Sequence, residues 1–559
     1  LIQAKKDRGS TTSLRQRVAG VGGALALALW TTAGHAEPAA APLLPGMGPD
    51  QGPAASAVKS AQRYFHQGMM LVWGFNGAEA ARSFEAAIER DPRCALCWWG
   101  LAWALGPNVN SDMDDAAAER IRSALERATA LAPRAPPRTR ALVSALAVRH
   151  PLTGPASALD EEAYAERMRT LARRNPKDAD IATLAAEGVM NLHPYDWWDT
   201  AGAPRPWTPE IQSLLGQALA DAPSHPGANH YWIHLMENSG HPEAALASAN
   251  RLRTLVPGVG HLLHMPSHID MRVGRYAAAV AANEAAIAAD RRYLAAVDAA
   301  GAYRVGYVAH SEDFLWAAAA MEGASEKALA AARAAYPAAC GPRSADRSSG
   351  IVQHLYVLPL YTLVRFGRWR EILEQTLPPD VAEPYPLAVW HYARGTAFAR
   401  TGRIADARRE LAVVEGSIDD PALEHVRIKN LNPARALVRI AALTLGADIA
   451  LDEGRADAAV ARLREATAIE DALAYDEPHL WLAPTRHALG AALLAAGKAA
   501  EAEAVYREDL ARYPGNGWSL YGLAQAEQRQ GKSSAARATQ ARFDAAWRNA
   551  DVTLSGSRF

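Results

Sequence analysis

A spacing of 34 residues recurs along this 559-residue chain and constrains its fold more than any other feature. In the segment beginning at Ala61, residues Gly68, Ala80, Phe84, Ala87 and Pro92 occupy positions 8, 20, 24, 27 and 32 of such a unit. Near the other end, Gly490, Gly497, Ala502, Tyr506 and Pro514 occupy positions 8, 15, 20, 24 and 32 of a unit beginning at Ala483. Small residues at 8 and 20 let two helices approach closely, an aromatic ring at 24 fills the space between neighbouring units, and proline at 32 ends the second helix. A helical hairpin this short cannot bury its apolar face alone, so the units must stack around a continuous core. Weaker versions fall on Gly240/Ala245/Pro257, Gly274/Ala279, Gly323/Ala328, Gly395/Gly402/Ala407, Gly454/Ala459 and Gly531/Ala536, so the period runs from about residue 60 to 545.

Composition agrees with an all-α chain. Half of the residues are hydrophobic but only 7% are aromatic, and alanine, the best helix former, comes in runs such as 277–279 and 317–320. A β sandwich is excluded on that bias. Lys+Arg 59 against Asp+Glu 60 gives a net charge of −1, which provides no field to draw in a nucleic acid backbone or an anionic membrane.

With Gly68, Ala80, Phe84, Ala87 and Pro92 in one unit and Gly490, Ala502, Tyr506 and Pro514 in another, the repeat resembles the tetratricopeptide repeat (TPR). That resemblance implies a TPR-type α-solenoid, a superhelix of helix–turn–helix repeats whose concave wall is made by the first helix of each pair. In the TPR family, positions 2, 5, 9 and 12 chiefly face the groove, and a peptide or small molecule is the expected ligand there. The phrases Tyr64–Phe65–His66–Gln67–Gly68, Asp91–Pro92–Arg93–Cys94–Ala95–Leu96–Cys97–Trp98–Trp99–Gly100 and Met265–Pro266–Ser267–His268–Ile269 are similar to a group of exported bacterial TPR proteins. The pattern is least regular between Gly106 and Pro226, where residues 151–155 and 201–209 read as loops and Trp197, Trp198 and Trp207 cluster.

Two histidine-dense segments occupy groove positions. His230 and His234, and again His264 and His268, stand four residues apart on one helical face, a spacing able to chelate a transition metal. From 230 to 264 and from 234 to 268 the offset is 34, so each pair takes positions 5 and 9 of consecutive units and the two pairs are expected side by side. Glu237 falls at position 12, His261, His310 and His354 at position 2, and Asp313 and His487 at position 5 of their units. The expected metal ligands are therefore His230, His234, His264, His268, His261, His310 and Glu237, holding a copper, zinc or iron ion, or two ions bridged. An open coordination position would suit a metal-dependent oxidoreductase or hydrolase, with Glu237 or Asp313 as its base. Trp99 and Trp103 at groove positions, and Arg272 beyond the second histidine segment, are the expected ligand-groove residues, Arg272 suited to a carboxylate. His225 and His241, each directly before a proline, read as loop or capping residues, and Ser267 lacks the GxSxG context of a hydrolase. The alternative is a non-catalytic scaffold binding an envelope protein.

Arg15 and Arg17, an apolar stretch from Val18 to Trp30, and Gly34–His35–Ala36 read as a secretory signal, so a periplasmic or secreted protein without a membrane anchor after cleavage is expected. In that setting Cys94 and Cys97 are expected to form a local disulfide, with metal ligation or redox chemistry as alternatives, leaving Cys340 over. The chain then divides into a leader at 1–36, a flexible linker at 37–60, a first unit and the start of the next at 61–110, irregular helical pairs at 111–225, a histidine-rich pair at 226–300, a C-terminal array at 301–545 and a tail at 546–559.

Overall fold

The computed structural model describes residues 41–49, 52–199, 202–297, 303–340, 349–377, 381–429 and 431–559; the expected leader lies outside them. Among the described residues the elements are α-helices with a few short 3-10 and π turns, apart from a two-residue strand pair, Arg427–Ile428 with Asn432–Pro433. Most successive helices pack on one another, and the first helices of neighbouring hairpins, such as Lys59–Trp73 and Ala95–Leu105, also meet, the arrangement of a TPR-like α-solenoid.

The first unit shows how the sequence builds the hairpin. Asn76 caps Gly77–Arg90 by accepting the amide N–H of Glu79, and that helix folds back on Lys59–Trp73. Phe84 lies between Gly68 of its own unit and Gly100 of the helix Ala95–Leu105, where a Cβ would come within 2.7 and 2.5 Å of the ring. Tyr506 repeats the arrangement between Gly490 and Gly522, with hypothetical Cβ distances of 2.3 and 2.2 Å. Repeat positions that looked merely small are thus sites of ring-on-backbone contact.

The stretch 111–225 continues the solenoid through Ala118–Leu131, Pro137–Arg149, Glu161–Arg174, Ala179–Leu192 and Thr208–Asp221. The loop between the last two buries Trp197 and stacks Trp207 on His193 at 3.6 Å. Cys94 and Cys97 form a disulfide in the first turn of their helix, and Cys340 is free.

Two terminal segments depart from expectation. Residues 41–49 are no flexible linker: the Tyr64 hydroxyl donates to the Ala41 carbonyl at 3.0 Å, Gln67 Nε2 donates to Pro42 O at 2.9 Å, and the Gly258 N–H donates to Gly46 O at 2.8 Å. The tail at 546–559 is likewise a fastening. Asp551 accepts the Ser325 amide at 2.7 Å, Ser557 donates to His487 O at 2.7 Å, and Arg558 pairs with Asp448 at 2.8 Å.

The superhelix coils far enough for distant repeats to meet. Gly274, with φ +76°, packs so closely under Pro514 that a Cβ would stand 2.1 Å from its carbonyl oxygen. The Tyr475 hydroxyl reaches the Glu237 carbonyl oxygen at 3.3 Å across 238 positions of sequence. That closure carries part of the C-terminal array onto the histidine-rich pair. No helix among the described residues is long and apolar enough to cross a membrane.

Candidate metal centre

Three helices and one loop supply the side chains. Pro226–Glu237 begins with proline at its first position, and the His225 imidazole caps it by accepting the Ala228 N–H at 3.0 Å. His230, His234 and Glu237 follow on one buried face. Gly260–His264 and Pro266–Arg272 form a nearly continuous helical run, because Met265 between them keeps helical dihedrals (φ −51°, ψ −37°). His261, His264, His268 and Arg272 lie along it. Ala309–Met321 brings His310, and the loop after Ala456–Asp471 brings Tyr475, Asp476 and Glu477.

Hydrogen bonds to Trp73 and Asn283 fix the tautomers of two rings. His230 Nδ1 lies 2.5 Å from the Trp73 carbonyl oxygen, which can only accept, so Nδ1 carries the proton and Nε2 presents its lone pair. His264 Nδ1 donates to Asn283 Oδ1 at 2.7 Å, and the Asn283 amide is held in that orientation by donating to Ala279 O at 2.8 Å. His264 Nε2 is therefore also a lone-pair donor. The first of these nitrogens stands 3.1 Å from His261 Nε2 and the second 2.9 Å from His268 Nε2. Two nitrogens bound tetrahedrally to zinc at about 2.0–2.1 Å are about 3.3 Å apart, so both spacings approach that of adjacent ligands on one ion.

The donors form three groups, each with ligand atoms within 4.8 Å of one another: His230/His234/His261, His264/His268/His310 and Glu237/His268/Glu477. His268 belongs to two of them. The imidazole groups adjoin, with ring centroids 5.8 Å apart for both His234–His268 and His261–His264. His268 Nδ1 lies 2.8 Å from both Glu237 Oε2 and Glu477 Oε2, and His234 Nδ1 lies 3.3 Å from Glu237 Oε1. His234 Nε2 is buried without a hydrogen-bond partner among the described residues, and His268 Nδ1 is shared between Glu237 Oε2 and Glu477 Oε2. Buried polar atoms are rarely left so, and an unpartnered imidazole nitrogen among six rings, with two carboxylates sharing one of those rings, is the donor chemistry of a cation site.

Electrostatics hold most of these rings neutral. Burial, reinforced by mutual repulsion with neighbouring histidines, pushes the pKa values of His230, His261 and His264 well below the ordinary histidine value. Burial, Lys429 and the neighbouring histidines do the same to His310. Neutral imidazole is the form that ligates. At the carboxylate end, burial opposes charge on both partners, but attraction wins: His268 and His234 hold Glu237 well below the usual carboxylate range, and Glu237 with Glu477 raises His268.

The side-by-side arrangement expected from the 34-residue offset holds for His234 and His268. His230 instead meets His261, because the second helix begins at Gly260 and its first turn puts His261 between His230 and His264. Asp313 joins none of the donor groups; it is buried, raised by that burial to about 7, and faces Lys429 and Asp476. Trp99 and Trp103 are core residues rather than groove lining. Both are 3% exposed, stacked on each other at 5.2 Å, with Trp103 edge-on to Trp73 at 4.8 Å and its Nε1 donating to Glu187. The helix that carries them is apolar on every side, so position alone could not separate groove from core. His354 bonds the Tyr385 hydroxyl and His487 pairs with Asp509, both away from the centre. Arg272 does line a cavity beside it. Sequence reasoning missed Glu477, Asn283 and the Trp73 carbonyl, for which no local spacing gave a signal.

No family model and no curated protein sequence matches this chain. Solved structures align with it at low similarity: the human IFIT1 dimer with m7Gppp-AAAA is 10% identical, over 87% of this chain and 89% of that one, at a TM-score of 0.29. The P58(IPK) TPR domain is 11% identical, over 85% of this chain and 99% of that one, at a TM-score of 0.21.

Proposed function

We propose that this protein binds transition metal in a paired histidine centre, two adjacent three-imidazole groups with Glu237 and Glu477 at their shared edge, and acts there on a small molecule. One observation carries the reading: two imidazole nitrogens, freed as lone-pair donors by Trp73 O and Asn283, each face a second imidazole nitrogen at 3.1 and 2.9 Å. Imidazole-dominated sets suit copper and zinc, and the Cys94–Cys97 disulfide supports an oxidising compartment such as the periplasm. With either metal, the bound ion would supply Lewis acidity or a lowered water pKa, and with copper also electron transfer. The chain's own residues fix the donor rings and keep bulk water from them. The burial of His230, His234, His261 and His264 speaks against an extended peptide lying on this stretch of wall.

Equilibrium dialysis of the full chain against zinc or copper, followed by elemental analysis, tests this. Two ions per chain, removable by chelator without unfolding, are expected; protein that retains none after dialysis overturns the reading.

A further inference from the structure

A cavity of about 1110 Å³ begins where the donor groups end. Two tyrosines make the partition: Tyr195 sets its ring edge-on to His234 at 5.9 Å, and the Tyr475 hydroxyl donates to Glu477 and lies 3.3 Å from Glu237 O. Trp198, Trp481 and Tyr513 add aromatic surface to a wall that also carries acidic residues. The volume lies slightly above that of ordinary small-molecule sites, about 300–1,000 Å³.

The charges around this space are unevenly committed. Its six acids have partners: Asp196 pairs with Arg205 at 3.0 Å, Asp471 with Arg486 at 2.8 Å and Arg512 at 2.6 Å, Asp476 with Lys429 at 2.9 Å and Glu243 with His241 at 3.2 Å, while Glu470 accepts the Thr485 N–H at 2.8 Å and Asp199 the Ala203 N–H at 2.9 Å. Arg272 is different. Among the described residues it pairs with no carboxylate; one terminal nitrogen donates to Ser239 O at 3.2 Å, the buried Nε has no partner, and the guanidinium lies 5.6 Å over the Tyr475 ring. A half-satisfied guanidinium at a cavity wall is a ready fork for an anion. Arg272 also follows His264 and His268 at successive steps of four, so it sits one helical turn, about 6 Å, beyond His268 on the same face.

We propose that this cavity binds a small aromatic carboxylate, with Arg272 holding the carboxylate and Tyr195 and Tyr475 flanking the ring at the edge of the histidine centre. That such a ligand is a substrate rests on the metal reading; that it binds does not. A monoanion matches a single uncommitted Arg. A phosphate dianion would leave one of its charges unmatched by that single guanidinium. The aromatic walls favour a flat ring over an aliphatic chain of equal size.

Isothermal titration of the chelator-treated full chain with benzoate and with benzamide tests the proposal independently of any metal. Benzoate is expected to bind saturably and about tenfold or more tighter than its uncharged isostere, as loss of a charge-assisted pair implies. Arg272→Gln is expected to remove that preference and leave benzamide unchanged, Arg272→Lys to restore part of it, and Arg512→Gln, at a wall residue committed to Asp471, to leave benzoate binding unaltered. Absence of benzoate binding, equal binding of the two probes, or equal losses in Arg272→Gln and Arg512→Gln would each overturn the assignment. A chain that binds no metal yet prefers benzoate sinks only the metal reading, and the converse result sinks only this one.

Discussion

His268→Gln is expected to weaken metal binding more than any other single exchange at the centre, by more than about 100-fold, because this ring belongs to both an imidazole group and the carboxylate group. Exchanges that only disturb a ligand's outer support cost about 10–100-fold in affinity, and Asn283→Ala, which removes the acceptor of His264 Nδ1, is expected in that range. His310→Ala, at the less buried end of its group, is expected to cost less than His268→Gln. Glutamine keeps much of the imidazole's volume, so a fold effect is separable by the melting curve of the metal-free proteins. Competition with a chromogenic chelator measures the affinities. If His268→Gln binds within tenfold of the parent while melting normally, the shared-ligand arrangement is wrong.

Arg149→Ala is expected to produce the largest loss of stability, about 3–5 kcal/mol. Arg149 is 0% exposed and bonds Glu161 at 3.0 Å and the Pro107 carbonyl at 3.0 Å, with the Tyr164 ring beneath it at 4.9 Å and Glu187 at 4.0 Å. Removing the guanidinium strands Glu187, whose carboxyl burial already raises to about 7 against the lowering effect of Arg149. The sign with pH follows from linkage. A carboxyl raised in the folded state keeps a proton that the unfolded chain releases above about pH 4.5, so stability declines as pH rises until the folded group ionises too. Without Arg149 that folded pKa moves higher still, and the decline extends further. The loss in Arg149→Ala should accordingly be smaller at pH 5 than at pH 8, read as the shift in urea midpoint at each pH. A loss independent of pH would mean that Glu187 carries no burden in the variant.

The helical repeat was legible because its positions do steric work that composition cannot hide. Gly68 and Gly100 against Phe84, and Gly490 and Gly522 against Tyr506, leave no room for a side chain, so small and aromatic residues recur at fixed distance. The histidines were legible for a related reason: an offset of 34 between 230 and 264, and between 234 and 268, puts equivalent residues in equivalent places on one wall. What escaped was set by closure of the superhelix rather than by the repeat. Glu477 reaches His268 only because the coil brings residues more than 200 positions apart together, and the Trp73 carbonyl that orients His230 belongs to no side-chain pattern at all. Trp99 and Trp103 show the opposite failure, where repeat position pointed to the groove but the apolar surroundings of the whole helix put both rings in the core.

X-ray absorption at the zinc edge of the zinc-loaded full chain reads the proposed ligands themselves. Two ions per chain are expected, each with nitrogen or oxygen neighbours at about 2.0–2.1 Å and the outer-shell scattering of several imidazole rings. Zinc bound without imidazole scattering, or by the thiol of Cys340, would contradict that ligand set.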